Sequence, residues 1–185
     1  MASRKGAKAR RSSGSAKGRT ARKPGRKKVE AIPRLSGCLI PGLALRGAAE
    51  AIAFYEKAFG AKELSRMTGP DGKIMHAELK LGDRVLFVGD EAPEMGAPSP
   101  LALGGSPVSL MHYVKDVDAV FARAVAAGAK SVMPPADMFW GDRFGSLVDP
   151  WGHRWALATH KADLTPKQMK KAMDEWLASQ APLPG

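Results

Sequence analysis

The sequence predicts an α+β protein built from two tandem βαβββ units, and three observations predict it. The chain repeats itself: residues 43–64 (LALRGAAEAIAFYEKAFGAKEL) align with residues 111–132 (MHYVKDVDAVFARAVAAGAKSV) at an offset of 68. That offset puts Glu50 on Asp118, Ile52 on Val120 and Gly60-Ala61-Lys62 on Gly128-Ala129-Lys130. Self-similarity at a long fixed period means that one supersecondary unit is used more than once. In each copy a helical apolar stripe follows one strand-like run and precedes three more. Turn residues separate the runs. Two such units facing each other tend to enclose a cleft, where small ligands bind.

The elements follow in order. Cys38 to Leu45 is apolar and strand-like. Ala48 to Phe59 carries Ile52, Phe54, Tyr55 and Phe59 at helical spacing, and Gly60 suits the position just past a helix end. Lys62 to Thr68 reads as a strand, and Gly69-Pro70-Asp71-Gly72 as a turn. Lys73 to Leu81 alternates, Gly82-Asp83 turns, and Arg84 to Val88 returns. Residues 89–106, rich in Gly, Pro and Ser, read as the connection between units.

The second unit repeats the order. Val108 to Val114 is a strand, Asp116 to Ala127 a helix ended by Gly128, and Lys130 to Met133 a strand that Pro134-Pro135 puts at an edge or ends. Residues 142–148 form the next strand, Asp149-Pro150-Trp151-Gly152 a turn with a solvated His153, and Arg154 to His160 the last strand. Thr165 caps a final helix with Pro166 in its first turn. Met169, Met173, Trp176 and Leu177 share one face of it, suited to packing on the domain or on a second subunit. The units run over about 37–90 and 106–160, the helix over 165–179, and the domain over 35–180.

The formal charge of +11 is unevenly spread. Residues 1–34 hold 13 Lys and Arg against Glu30 alone, which leaves the rest of the chain near neutral. This basic segment lacks large apolar side chains and is expected to be a disordered tail with loose, salt-sensitive contacts to polyanions. A single cysteine, Cys38, excludes an intramolecular disulfide and a cysteine-rich zinc site; it is expected to be a small buried residue. No apolar run approaches membrane-spanning length and no secretory leader is legible, so the expected compartment is the cytoplasm.

The tandem βαβββ pattern resembles the vicinal oxygen chelate superfamily, which includes glyoxalase I, bleomycin-resistance proteins and extradiol dioxygenases. Ile40-Pro41, AAEAIAFYEKAFGA, KIMHAELKLGD and WGDRFGSLVDPWGHRWALATH resemble its PhnB-like branch in particular, over about residues 37–180. The resemblance implies a cleft in which four positions carry His, Gln or Glu and hold a divalent metal. The family's spacing puts them at Pro41 and Ser109 on the first strands. Leu86 and Ala156, paired with each other at a repeat offset of 70, are the last-strand positions. None has a good metal-donor side chain, so no divalent metal or other cofactor is expected.

Alternation then nominates the residues of the cleft. If Leu86 and Ala156 point inward, so do Arg84, Arg154 and Ala158, while Val85, Phe87, Trp155 and Leu157 face the helices. Ser109 inward brings Met111 and Tyr113 inward and puts His112 under a helix. On 73–81 the apolar residues Met75, Ala77, Leu79 and Leu81 face the helices, which leaves His76 and Glu78 on the cleft side. That pair is a candidate general base with an orienting carboxylate, or a polar pair lining a cavity. Ser109, Met111, Tyr113, Trp140, Asp142, Phe144 and Arg154 are candidate ligand-binding residues. Asp142 and Arg143 are expected to pair with each other or with a ligand charge.

The first functional expectation is a small-molecule-binding protein, commonly a homodimer in the resembled family, with no metal. The second is a lyase, isomerase or dioxygenase-like enzyme using His76 and Glu78. The third is an interaction protein tethered to nucleic acid by its tail.

Overall fold

The computed structural model describes residues 39–180. The first unit is β1 (Gly42–Leu45), α1 (Ala48–Phe59), β2 (Lys62–Thr68), β3 (Ile74–Leu81) and β4 (Arg84–Asp90). A connector carries two short helical turns, Pro93–Met95 and α2 (Pro100–Leu103). The second unit is β5 (Ser109–Tyr113), α3 (Val117–Ala126), β6 (Lys130–Asp137), β7 (Asp142–Val148) and β8 (Arg154–His160), followed by α4 (Pro166–Gln180). Two four-stranded sheets result, in the orders β1-β4-β3-β2 and β5-β8-β7-β6. The βαβββ reading therefore holds for both copies. The expected tail, residues 1–34, and Cys38 lie outside the described residues.

Local chemistry accounts for the element ends. Gly60, at φ 70°, stops α1 in a left-handed conformation that costs glycine little. The Asp116 carboxylate accepts from Ala119 N at 3.0 Å and starts α3. Thr165 and Gln168 cap α4 reciprocally: the Thr165 hydroxyl accepts from Gln168 N, and the Gln168 side chain accepts from Thr165 N at 2.9 Å. The structure fills in two expectations. The connector is not simply irregular, because Pro93 and Pro100 start helical turns at positions where a missing N–H costs nothing. β6 does not stop at Pro134 but runs on to Asp137; it is an edge strand, so the prolines interrupt only its pairing with β7.

The two helices pack against each other, and both sheets contribute their inner faces to one core. Leu45, Leu79, Leu86 and Val88 come from the first sheet, and Leu147, Trp155 and Leu157 from the second. Phe59 of α1 reaches across, its ring 4.6 Å from that of Trp155. Fully burying one such side chain stabilises by about 1.5–3 kcal/mol.

The turn between β7 and β8 fastens the units together. Asp149, 3% exposed, accepts from the Tyr55 hydroxyl, Trp155 Nε1 and the backbone N–H groups of Trp151 and His153. Trp151 Nε1 donates to the Arg46 carbonyl at 3.0 Å. His153, expected to be solvated, is buried, with Nε2 3.2 Å from the Ala44 carbonyl oxygen.

The same turn corrects the repeat. Paired residues of neighbouring strands share a face, and Leu86 pairs with Leu79 while Leu147 pairs with Trp155. Leu79 and Leu147 differ by 68, whereas Leu86 and Trp155 differ by 69. The second hairpin is therefore one residue longer, and the motif match at 70 is one residue out on β8. A one-residue slip inverts every side chain of a strand. Leu86 thus faces the helices, with Arg84 and Val88 on the same side of β4. Val85 and Phe87 turn to the open face. On β8 the expected faces hold: Trp155 and Leu157 lie in the core, and Arg154, Ala156 and Ala158 face away from it.

Candidate functional site

The open face of the first sheet carries His76 and Glu78, as alternation on β3 requires when Ala77 and Leu79 are buried. His76 Nε2 stands 3.8 Å from Glu78 Oε1, and both side chains are about one-third exposed. The His76 ring meets Phe87 edge-on at 4.7 Å, since Phe87 is on this face. A groove of about 730 Å³ lies here. Gly42, Ala44, His76, Phe87 and Gly89 line it from the sheet, and connector residues including Pro98, Pro100, Leu103 and Val108 line it from the other side.

The groove is electrostatically quiet. Among the described residues no lysine or arginine lines it. Asp90 does, but its carboxylate accepts from the backbone N–H groups of Gly47, Ala48 and Ile74. Ser106 is bonded to the backbone of Val108. The connector is pinned by Glu91, which accepts from Arg46 Nε at 2.6 Å and from the hydroxyl of the fully buried Ser99 at 2.5 Å. The Arg46 bond, then the Ser99 bond, lowers the Glu91 carboxyl to about 2.

The second sheet gathers a different set. Ser109, Met111 and Tyr113 share the open face with Arg154, Ala156 and Ala158, their partners across β5 and β8. Ser109, Met111 and Tyr113 also line a groove of about 590 Å³ with the Leu81–Leu86 hairpin. Asp142, 4% exposed, accepts from the Tyr113 hydroxyl at 2.8 Å and from Trp140 Nε1 at 3.2 Å. Its other oxygen is 2.8 Å from His160 Nδ1. The Trp140 and Phe144 rings meet edge-on at 5.6 Å. Tyr113 is pushed up by its bond to Asp142. His160 is raised by Asp142 and then by Asp163, whose carboxylate is 3.1 Å from Nε2. His112, inward of the strand and beside Phe59, is lowered by burial.

Sequence reasoning found Tyr113, Trp140, Asp142 and Phe144 but missed His160. The signal was available: His160 follows Ala156 and Ala158 at alternate positions, and β7 runs back antiparallel so that Asp142 stands opposite it. One further expectation is corrected. Arg143 does not pair with Asp142; it lies on the helix side, with Nε 2.6 Å from Asp118 and Nη1 3.3 Å from Asp137. Arg154, nominated for the cleft, is exposed. Of the nominated residues, His76 lines the groove of about 730 Å³, and Ser109, Met111 and Tyr113 line that of about 590 Å³.

The glycines at 141 and 145 do mark close approach. A side chain at Gly141, φ 95°, would run into the Ala162 carbonyl, and one at Gly145 would meet Met133 O and Phe121 at 3.1 Å.

The corrected register moves the metal positions that the fold implies. Ala156 corresponds to Phe87, not Leu86, and Ser109 to Ile40, not Pro41. Ile40, Phe87 and Ala156 offer no donor, and one serine hydroxyl is a poor ligand, so these residues do not fit a divalent ion. Among the described residues no three His, Cys, Asp or Glu side chains converge to hold one elsewhere.

The sequence profile of the Glyoxalase/Bleomycin resistance protein/Dioxygenase superfamily matches residues 41–157. The chain belongs to this superfamily. It is 44% identical over 138 residues to an uncharacterized protein of Mycobacterium tuberculosis, covering 73% of this chain and 81% of that protein. Among solved structures it is similar to TioX from Micromonospora sp. ML1, at 29% identity and TM-score 0.52, covering 69% of this chain and 98% of that one. An Arabidopsis thaliana gene product is similar at 29% identity and TM-score 0.54, with 65% and 96% covered. The PhnB protein from Bacillus cereus, at 22% identity and TM-score 0.53, with 66% and 98% covered, shares the fold. No helix among the described residues of this superfamily member is long and apolar enough to cross a membrane.

Proposed function

We propose that the protein binds a small, largely apolar organic molecule, without a family metal, in the groove between the open face of the first unit and the connector. The observation that carries this is the groove itself: about 730 Å³, lined largely by proline, leucine, valine and phenylalanine, with His76 and His153 among its polar groups. Ligand sites typically combine such apolar walls with a few polar groups that fix orientation. The family assignment supports a small-molecule role, and the wording of the α1 and β7–β8 segments supports the PhnB-like branch.

Gly42 supplies the test. It lines the groove and has nothing within 4 Å of where a Cβ would stand, so Gly42→Phe has room for its Cβ and would project a ring towards the groove. Compounds found by thermal-shift screening should bind the native protein and lose affinity in Gly42→Phe at unchanged melting temperature. Compounds that bind both proteins equally would end this reading, and stoichiometric metal in the purified protein would end its metal-free part.

The spacing of His76 and Glu78 favours a second reading, an enzyme in which His76 is a general base oriented by Glu78. His76→Ala should then abolish turnover of a bound compound, whereas a sequestering protein would only bind it more weakly. Homodimerisation is part of the proposal, because Met67, Met111 and Tyr113 are exposed on the two open faces and Trp176 and Leu177 on α4. Light scattering that gives the mass of one chain would refute it. A cytoplasmic location and salt-sensitive polyanion contact through residues 1–34 complete it. A chain lacking those residues should lose that contact.

A further inference from the structure

His153, buried at the end of the β7–β8 turn, has one ring nitrogen bonded and one without a partner among the described residues. Its Nε2 stands 3.2 Å from the Ala44 carbonyl oxygen. A carbonyl only accepts, so Nε2 carries the proton, and in the neutral ring Nδ1 is then an acceptor. The Pro41 and Leu45 carbonyls accept from Phe87 and Glu91, so the alternate Ala44 carbonyl points off the free edge of β1 and holds the ring there. Among the described residues no enclosed side-chain nitrogen or oxygen lacks a partner, so the unbonded Nδ1 is reached from outside the core. The space that His153 lines is the groove of the first unit.

The rest of that groove limits what Nδ1 can meet. Besides the two histidines its polar side chains are Asp90 and Ser106, and both are engaged with backbone groups. Among the described residues no lysine or arginine is present to hold an anion. Gly42 is in register with Phe87 on the open face, and nothing stands within 4 Å of where its Cβ would be. A flat ring set over Gly42 would therefore meet the Phe87 ring on the sheet and Pro98 and Pro100 of the connector. Ala44 lies two residues along β1, about 7 Å away, so His153 stands at the end of this apolar bed.

We infer that the ligand of this groove is a neutral aromatic compound whose ring edge carries an O–H or N–H donor, and that His153 Nδ1 accepts it. The inference rests on the groove reading above and adds the ligand's chemical class. The aromatic body takes the space over Gly42 beside Phe87, and the donor meets Nδ1. The imidazole is ready for it, because the Ala44 carbonyl already fixes both its tautomer and its orientation. The same arrangement disfavours an ether or a carboxylate at that end, which would set lone pairs against a lone pair.

The probes are indole, which carries one N–H donor, and benzofuran, its isosteric ether without one, each titrated into the full-length protein and followed by NMR. His153→Gln keeps a donor for the Ala44 carbonyl and removes the Nδ1 acceptor. The ratio of the two dissociation constants should favour indole at least about threefold more in the native protein than in His153→Gln. The His153 Nδ1 resonance should shift on adding indole and stay in place with benzofuran. Both compounds should lose binding in Gly42→Phe. If both are lost there but the ratio is the same in native protein and His153→Gln, the groove reading stands and this inference falls. Indole binding that survives in Gly42→Phe, or no indole binding by the native protein, would also overturn it, and the compounds from the thermal-shift screen then judge the groove reading by themselves. If His153→Gln does not fold, the resonance decides: no shift with indole, or an equal shift with benzofuran, overturns the inference.

Discussion

The Tyr55 hydroxyl donates to Asp149 Oδ2 at 2.8 Å, across a separation of 94 residues and inside the core. Tyr55 belongs to α1 of the first unit and Asp149 to the last turn of the second, so this bond helps to set how the two units meet. Burial, and then the Asp149 charge, push the phenol well above its usual range.

Removing either partner should have unequal effects. Tyr55→Phe deletes one of four donors to Asp149 and should cost about 1–2 kcal/mol. Asp149→Ala leaves two side-chain and two backbone donors without an acceptor and should cost about 3 kcal/mol or more. Urea unfolding measures both; equal losses would contradict the hub.

The Glu91 lock should fail in acid. Its carboxyl titrates at about 2 in the folded protein against an ordinary 4.5, so its contribution is present above 4.5 and lost as the pH falls from 4.5 towards 2. Glu91→Gln should remove that part of the acid dependence and bring the two stability curves together at low pH. Parallel curves would contradict it.

His160 should act in the opposite sense. Asp142 first and Asp163 second raise its folded value above the usual 6.5. The stability it contributes is therefore fully present below 6.5 and declines as the pH rises through the raised value. The groups facing the ring are Asp142, Asp163 and, through Asp142, Tyr113 and Trp140. The stability difference between native protein and His160→Asn should narrow with rising pH; a difference that widens would refute the pairing.

Gly141→Ala should be among the more damaging small substitutions. Residue 141 is at φ 95°, and an added methyl would meet the Ala162 carbonyl, next to the backbone bonds from Lys161 and Ala162 to Gly141 O. Both strain and clash act, so a loss of about 1–3 kcal/mol is expected in thermal or urea unfolding. Gly42→Ala, which meets nothing, is the control.

The helices and their caps were legible because helical spacing and capping are written locally. Ile52, Tyr55 and Phe59 fall on one face whatever the rest of the chain does, and Gly60 and Thr165 mark their ends in single residues. The faces of β8 and of most of β3 were legible for a similar reason: Ala77 and Leu79, and Trp155 and Leu157, alternate with other residues; at the start of β3 the expectation is corrected, because a register irregularity opposite Met67 and Thr68 buries Ile74 in the core and leaves Met75 exposed. The sequence by itself thus determined the two βαβββ units and the side of the sheet on which His76 and Glu78 stand.

Tertiary structure decided what depends on register and on contacts between distant residues. The pairing of β3 with β4, which sets Leu86 opposite Leu79, put Phe87 rather than Leu86 on the open face; the β7–β8 turn is one residue longer than its counterpart, so the face of Ala156 carried back to Leu86 was one residue out, and side chains alternate with a period of two. The same turn buried His153 against Ala44. Pairing of β7 with β8 brought His160 to Asp142, 18 residues away, and pairing of β5 with β8 added Tyr113. Alternation says which face a residue takes, but only the hydrogen-bonded register says which residue it meets there.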